Sequence, residues 1–144
     1  MKKINVVIDV NWFVSACINA KSREKLELLL LNDTIVFLIC KELFDEFNEV
    51  INRPKFRKLT SPENIDNFKK LVTEKSIIIK NLSIKKQVRD IKDDYLVALA
   101  LKGNADYIIT GDEDLLILKK VKNTIIIKLT DFIDKYKNIL NEIN

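Results

Sequence analysis

The chain has 144 residues, 47% apolar and 32% charged, a balance that excludes a disordered or fibrous polypeptide and fits one globular domain over residues 1–144. A net charge of +4 and a pI of about 9.0 suit a polyanionic partner, and equally a merely lysine-rich composition. The absence of histidine removes imidazole as base or ligand, and two glycines are too few for a phosphate-cradling P-loop.

Residues 4–9 (INVVID) form a β-branched run ending in an acid and read as a strand buried on both faces. Residues 1–9 have a charged start but meet an acid after a few apolar residues, without the longer apolar core and small-residue cleavage site expected of a signal peptide. Runs such as residues 28–31 and 77–79 are too short to span a bilayer, so a cytoplasmic protein without membrane contact is expected. Helical spacing covers residues 12–31, in two pieces around Ala20-Lys21-Ser22. Residues 34–40 read as a second strand, and residues 41–53 as a helix stopped by Pro54.

Ser61-Pro62-Glu63 carries a hydroxyl cap, a first-turn proline and an acid at the positive helix end, so a helix runs from there to about residue 74. Residues 76–80 are a strand. Residues 93–102 are a helix closed by Gly103, and residues 106–110 a strand. A short helix over 114–120, a strand over 124–128 and a final helix over 130–140 complete the chain. Strands alternating with helices predict an α/β fold, a three-layer α/β/α sandwich with a central parallel sheet. Sites in such sheets form beyond the carboxyl ends of the strands. Cys17 and Cys40 lack metal-ligand spacing and read as buried thiols, which argues against zinc.

Four acids fall where elements end or face inward. Asp9 closes the first strand; it suits a metal ligand or the cap of the next helix, and Asn11 stands within reach of a carboxylate. An aspartyl phosphatase would want a second acid where Asn11 stands. Glu46 lies at the border of the apolar stripe Leu43, Phe44, Phe47, Val50 and Ile51, whereas Glu42, Asp45 and Glu49 point further into solvent. Asp93 shares the inward face of its helix with Leu96 and Ala100, and Asp94 points away. Asp112 follows the strand ending at Thr110, with Gly111 allowing a sharp turn. It is a ligand, a helix cap in company with Asp114, or both, and the Thr110 hydroxyl can bond a neighbouring carboxylate. Oxygen donors gathered from separate elements are what a hard cation such as Mg²⁺ requires.

Four segments, VIDVNWFVSA (7–16), EFNEVINRPKF (46–56), DDYLVALA (93–100) and ADYIITGDEDLL (105–116), resemble in order the motifs of PIN-domain proteins. The branch that the chain looks most like is the VapC-like toxin component of toxin–antitoxin systems. The resemblance spans nearly the whole chain. It implies a PIN-like fold and a Mg²⁺- or Mn²⁺-dependent endoribonuclease that leaves 5′-phosphate and 3′-hydroxyl ends. It also implies a cognate antitoxin and a homodimer. The family's acids fall on Asp9, Glu46, Asp93 and Asp112, the set that position in the elements also selects; Asn11, Thr110 and Asp114 are the neighbours read as able to support them, and Asp94 as a surface charge or one behind the ligands. One departure is Val10, where the family commonly has threonine.

With histidine absent, a carboxylate or a metal-held hydroxide would act as base in phosphodiester hydrolysis. Two carboxylates about 5 Å apart repel by about 3 kcal/mol at an effective dielectric of about 20, so metal binding is expected to stabilise the fold. Arg53, Lys55 and Arg57 interleave with Phe56, a pattern suited to RNA phosphates and one stacked base. Further basic groups are Lys85, Lys86 and Arg89, and Lys119, Lys120 and Lys122. The alternative function is a non-catalytic PIN-like module that binds RNA or protein.

Overall fold

The computed structural model describes residues 2–83 and 91–140, and only the backbone of residues 91–94. Strand β1 (Ile4–Ile8) leads into α1 (Val10–Ile18) and α2 (Ala20–Leu30). The break falls at Asn19, just before the predicted interruption. Its extended backbone (φ −139°, ψ 123°) ends α1, its N–H donates to the Ser15 carbonyl, and its side chain accepts the Ser22 N–H to open α2. One short polar side chain thus serves both helix ends.

Then come β2 (Ile35–Ile39), α3 (Lys41–Ile51), α4 (Pro54–Arg57), α5 (Pro62–Lys75) and β3 (Ser76–Ile78). Helix α3 ends at Ile51, short of the expected boundary. Pro54 begins α4, in the first turn where its missing N–H is no loss. Ser61 caps α5 as its sequence predicts, its Oγ accepting the Asn64 N–H at 3.1 Å.

The chain continues with α6 (Ile91–Lys102), β4 (Tyr107–Ile109), α7 (Glu113–Leu116), β5 (Lys120–Val121), β6 (Thr124–Ile127), α8 (Leu129–Lys135) and α9 (Lys137–Leu140). Gly103 does not close α6 by a left-handed turn; Asn104 does, at φ 53°. Gly103 lies close against Leu38 instead: a Cβ there would fall 2.5 Å from Leu38 Cδ1, so that side chain would have to shift. The helix expected over 114–120 stops at Leu116. Lys119 and Lys122 take left-handed φ of 62° and 51° around the strand that replaces its end.

The six strands are ordered β3-β2-β1-β4-β6-β5. All pairings are parallel except that of β5 with β6, so the sheet is mixed rather than wholly parallel, with helices on both sides. Val6, Val7 and Ile8 are buried in succession, as a strand covered on both faces must be. Chain order runs outward from β1 through β2 and β3 on one side, and through β4 and β6 on the other. The crevice at the carboxyl ends of β1 and β4 is therefore a topological switch point.

Candidate active site

Register decides which side chains meet at that crevice. Ile8 pairs with Ile109, so the next residues, Asp9 and Thr110, leave the sheet side by side. Both are buried, and the Thr110 hydroxyl donates to Asp9 Oδ2 at 2.7 Å. The same hydroxyl accepts the Asp112 N–H at 3.0 Å, while Asp112 Oδ1 accepts the Asp114 N–H at 2.8 Å and caps α7. Asp9 Oδ1 accepts the Asn11 backbone N–H at 3.0 Å and caps α1. Thr110 thus links Asp9 and Asp112, which lie far apart in sequence, through one shared hydroxyl.

Two expectations change here. Asn11 reaches Asp9 through its backbone amide, and its side chain is exposed. Gly111 has no positive φ and open space where a Cβ would stand, so the turn at Thr110–Asp112 does not depend on it.

Strand β2 leaves the sheet at Cys40, which precedes α3 and is buried. Burial pushes the thiols of Cys17 and Cys40 up to about 11, so neither is a ready thiolate ligand or nucleophile. Glu46 is half-buried at the margin of α3's apolar face, where its helical position put it; Glu42 is half-buried too. Glu46 Oε1 accepts a hydrogen bond of 2.5 Å from the hydroxyl of Tyr95, a buried residue of α6. Burial first, then the hydrogen bond and charge of Glu46, and then the charge of Asp9, push the Tyr95 phenol far above its ordinary value. Tyr95 is therefore bonded to Glu46 and feels the charge of Asp9 as well. The sequence reading missed it, since a tyrosine beside two leucines on a helix reads as core packing.

The side chains of Asp93 and Asp94 lie outside the described residues, as do Lys85, Lys86 and Arg89. Tyr95 to Ala100 are all buried, so α6 has no solvent face there to distinguish an inward Asp93 from an outward Asp94. Choosing between them then rests on the family motif. Among the described residues, no three His, Cys, Asp or Glu side chains form a group able to hold a metal ion. Asp9, Glu46 and Asp112 supply hard oxygen donors suited to Mg²⁺ or Mn²⁺. They fit such an ion in chemistry, with Asp93 as the residue that would join them.

A groove of about 630 Å³ opens along the ends of β2 and β3, lined by Cys40, Lys41, Phe44, Ile79, Lys80 and Asn81 among others. In the basic segment, Arg53 pairs with Glu49 at 3.0 Å and Arg57 donates to the Asn52 side chain at 3.2 Å. Phe56 is half-buried against the core, with the Lys55 ammonium 4.9 Å from its ring centre. The ring offered for base stacking is thus partly committed to the fold. Lys119, Lys120 and Lys122 are all exposed at the far edge of the sheet.

An open α/β sheet whose switch point joins the Asp9 carboxylate to the Asp112 backbone amide through Thr110 belongs to a class of proteins whose sites lie at the strand carboxyl ends. Residues 5–114 match the family model of the PIN domain. The chain is also 34% identical over 121 residues to the uncharacterized protein MJ1680 of Methanocaldococcus jannaschii, spanning 81% of this chain and 76% of that protein. Among solved structures it is similar to the crystal structure of VapBC2 from Rickettsia felis bound to a DNA fragment from their promoter. That likeness has a TM-score of 0.51 and 19% identity, and covers 85% of this chain and 97% of the other, which supports the fold. The chain belongs to the PIN-domain family, whose members are in general divalent-metal-dependent nucleases.

Proposed function

We propose that this chain is a Mg²⁺- or Mn²⁺-dependent endoribonuclease, a single PIN-like domain acting as the toxin of a toxin–antitoxin pair. The observation that carries the reading is the Asp9–Thr110–Asp112 linkage at the switch point between β1 and β4. Asp9, Glu46, Asp93 and Asp112 would hold the ion. Mg²⁺ or Mn²⁺ bound there would orient the scissile phosphate and offset the negative charge that grows in the transition state. The chain's own contribution is preorganisation: Asp9 has both oxygens fixed by donors, and Asp112 is set by its capping bond to Asp114. Asp94 and Asp114 would add negative potential that favours a divalent ion. The exposed Arg53, Lys55 and Arg57, with Phe56, would take the RNA backbone on either side.

The similarity to the Rickettsia felis VapBC2 assembly supports a cognate antitoxin as partner here. We further propose a homodimer in the cytoplasm; no helix among the described residues is long and apolar enough to cross a membrane. A second reading, a non-catalytic PIN-like module that binds RNA or protein, is favoured by one observation: the described carboxylates alone form no metal-holding trio. Incubating single-stranded RNA with Mn²⁺ and wild-type protein beside Asp9→Asn decides between them. Cleavage by the wild type that is lost in the variant supports the nuclease, and no cleavage by either supports the module.

A further inference from the structure

We infer that Tyr95 is a positioning residue for Glu46, and that its hydroxyl sets the affinity of the site for a divalent cation. The inference rests on the metal-dependent reading above and extends it to a residue outside the acid set.

Glu46 stands on α3 and Tyr95 on α6, and their 2.5 Å hydrogen bond joins two helices across 49 residues of sequence. Tyr95 is buried, so the phenol is anchored by its surroundings, whereas Glu46 is half-buried on a flexible stem. A glutamate with three side-chain torsions loses entropy when it ligates a cation. Binding one of its oxygens in advance removes part of that cost. The bond also restricts which carboxylate edge can meet the ion, since Oε1 is held by a donor that sits inside the protein. The pattern parallels the Thr110 hydroxyl on Asp9 Oδ2. Each of these two acids has one oxygen gripped by a buried hydroxyl from a different element, an arrangement known to tune metal ligands from behind. Tyr95 packing alone would need no hydroxyl partner, and phenylalanine would fill the same volume.

Isothermal titration with Mn²⁺ on wild type, Tyr95→Phe, Glu46→Ala and the double variant tests this, with Asp9→Asn as the reference for loss of the site. Metal-free melting curves read out folding of each variant. Tyr95→Phe should raise the Mn²⁺ dissociation constant about 10-fold. The same change in the Glu46→Ala background should shift it less than about 2-fold, because a residue that works through Glu46 has nothing left to position. Equal loss in both backgrounds, or no loss in either, overturns the role of Tyr95 while Mn²⁺ binding that depends on Asp9 leaves the site intact. Absence of Mn²⁺ binding by the wild type overturns both.

Discussion

Thr110 is fully buried and its single hydroxyl carries two bonds, one donated to Asp9 and one accepted from the Asp112 amide. Valine has the same shape without either capability. Thr110→Val would leave a buried carboxylate oxygen short of a donor and an amide short of an acceptor, at a cost of about 2 kcal/mol or more. Urea unfolding should show the loss, and Thr110→Ser, which keeps the hydroxyl, should recover most of it. The cysteines make a different residue-scale case. Their thiols ordinarily release a proton near 9.0 and in the fold only near about 11, chiefly because burial disfavours the thiolate. A raised folded pKa means the stabilising contribution is complete below the unfolded value and is lost as pH rises through the folded one. Stability should therefore fall between pH 9 and about 11, and fall less in Cys17→Ala/Cys40→Ala. At pH 8 iodoacetamide should leave both thiols of the native protein largely unmodified, while the urea-unfolded chain reacts readily, as mass spectrometry can check.

At the scale of elements, caps and packing decide what short polar signals mean. Ser61 fixes the start of α5 with one bond to the Asn64 amide at an exposed helix end. Ser61→Ala should cost about 1 kcal/mol in denaturant unfolding, and Ser61→Asp should be close to neutral. The same local chemistry made that helix legible in the sequence, as β-branched runs made β1, β2 and β6 legible. Boundaries set by tertiary or left-handed turns were not legible. Lys119 and Lys122 at positive φ flank β5 and shape the β5–β6 hairpin, and nothing in a lysine announces that conformation. The candidate site divides in the same way. Asp9, Thr110 and Asp112 follow strand ends, so their meeting can be read from strand order and register. Glu46 could be placed only at the edge of its helix. Its partner Tyr95 comes from a helix buried on every described side chain from Tyr95 to Ala100, and a periodicity argument has no face to find there.

For the whole molecule, the tension lies between a net charge of +4 and the acids proposed to gather at one rim of the sheet. The overall positive field does not relieve repulsion within the rim, because charges more than about 10 Å away are screened at ordinary ionic strength. Thr110 and Tyr95 lessen the repulsion locally by donating to Asp9 and Glu46, yet neither brings positive charge. A divalent cation would, and any ion that binds only the folded chain stabilises it by mass action. At about 100 times its dissociation constant, Mn²⁺ should add about 2.7 kcal/mol. For a chain of 144 residues this is a rise of about 5–10 °C in Tm. Asp9→Asn removes one negative charge from the rim and so relaxes the metal-free protein, while it removes a proposed ligand. The two effects have opposite signs. The variant's metal-free Tm should fall little or even rise, and its Mn²⁺-dependent rise should nearly vanish. Scanning calorimetry with and without millimolar Mn²⁺ reads both numbers on the same samples. An equal Mn²⁺-dependent rise in wild type and variant would place the ion away from Asp9, and no rise in either would leave the rim without a cation site.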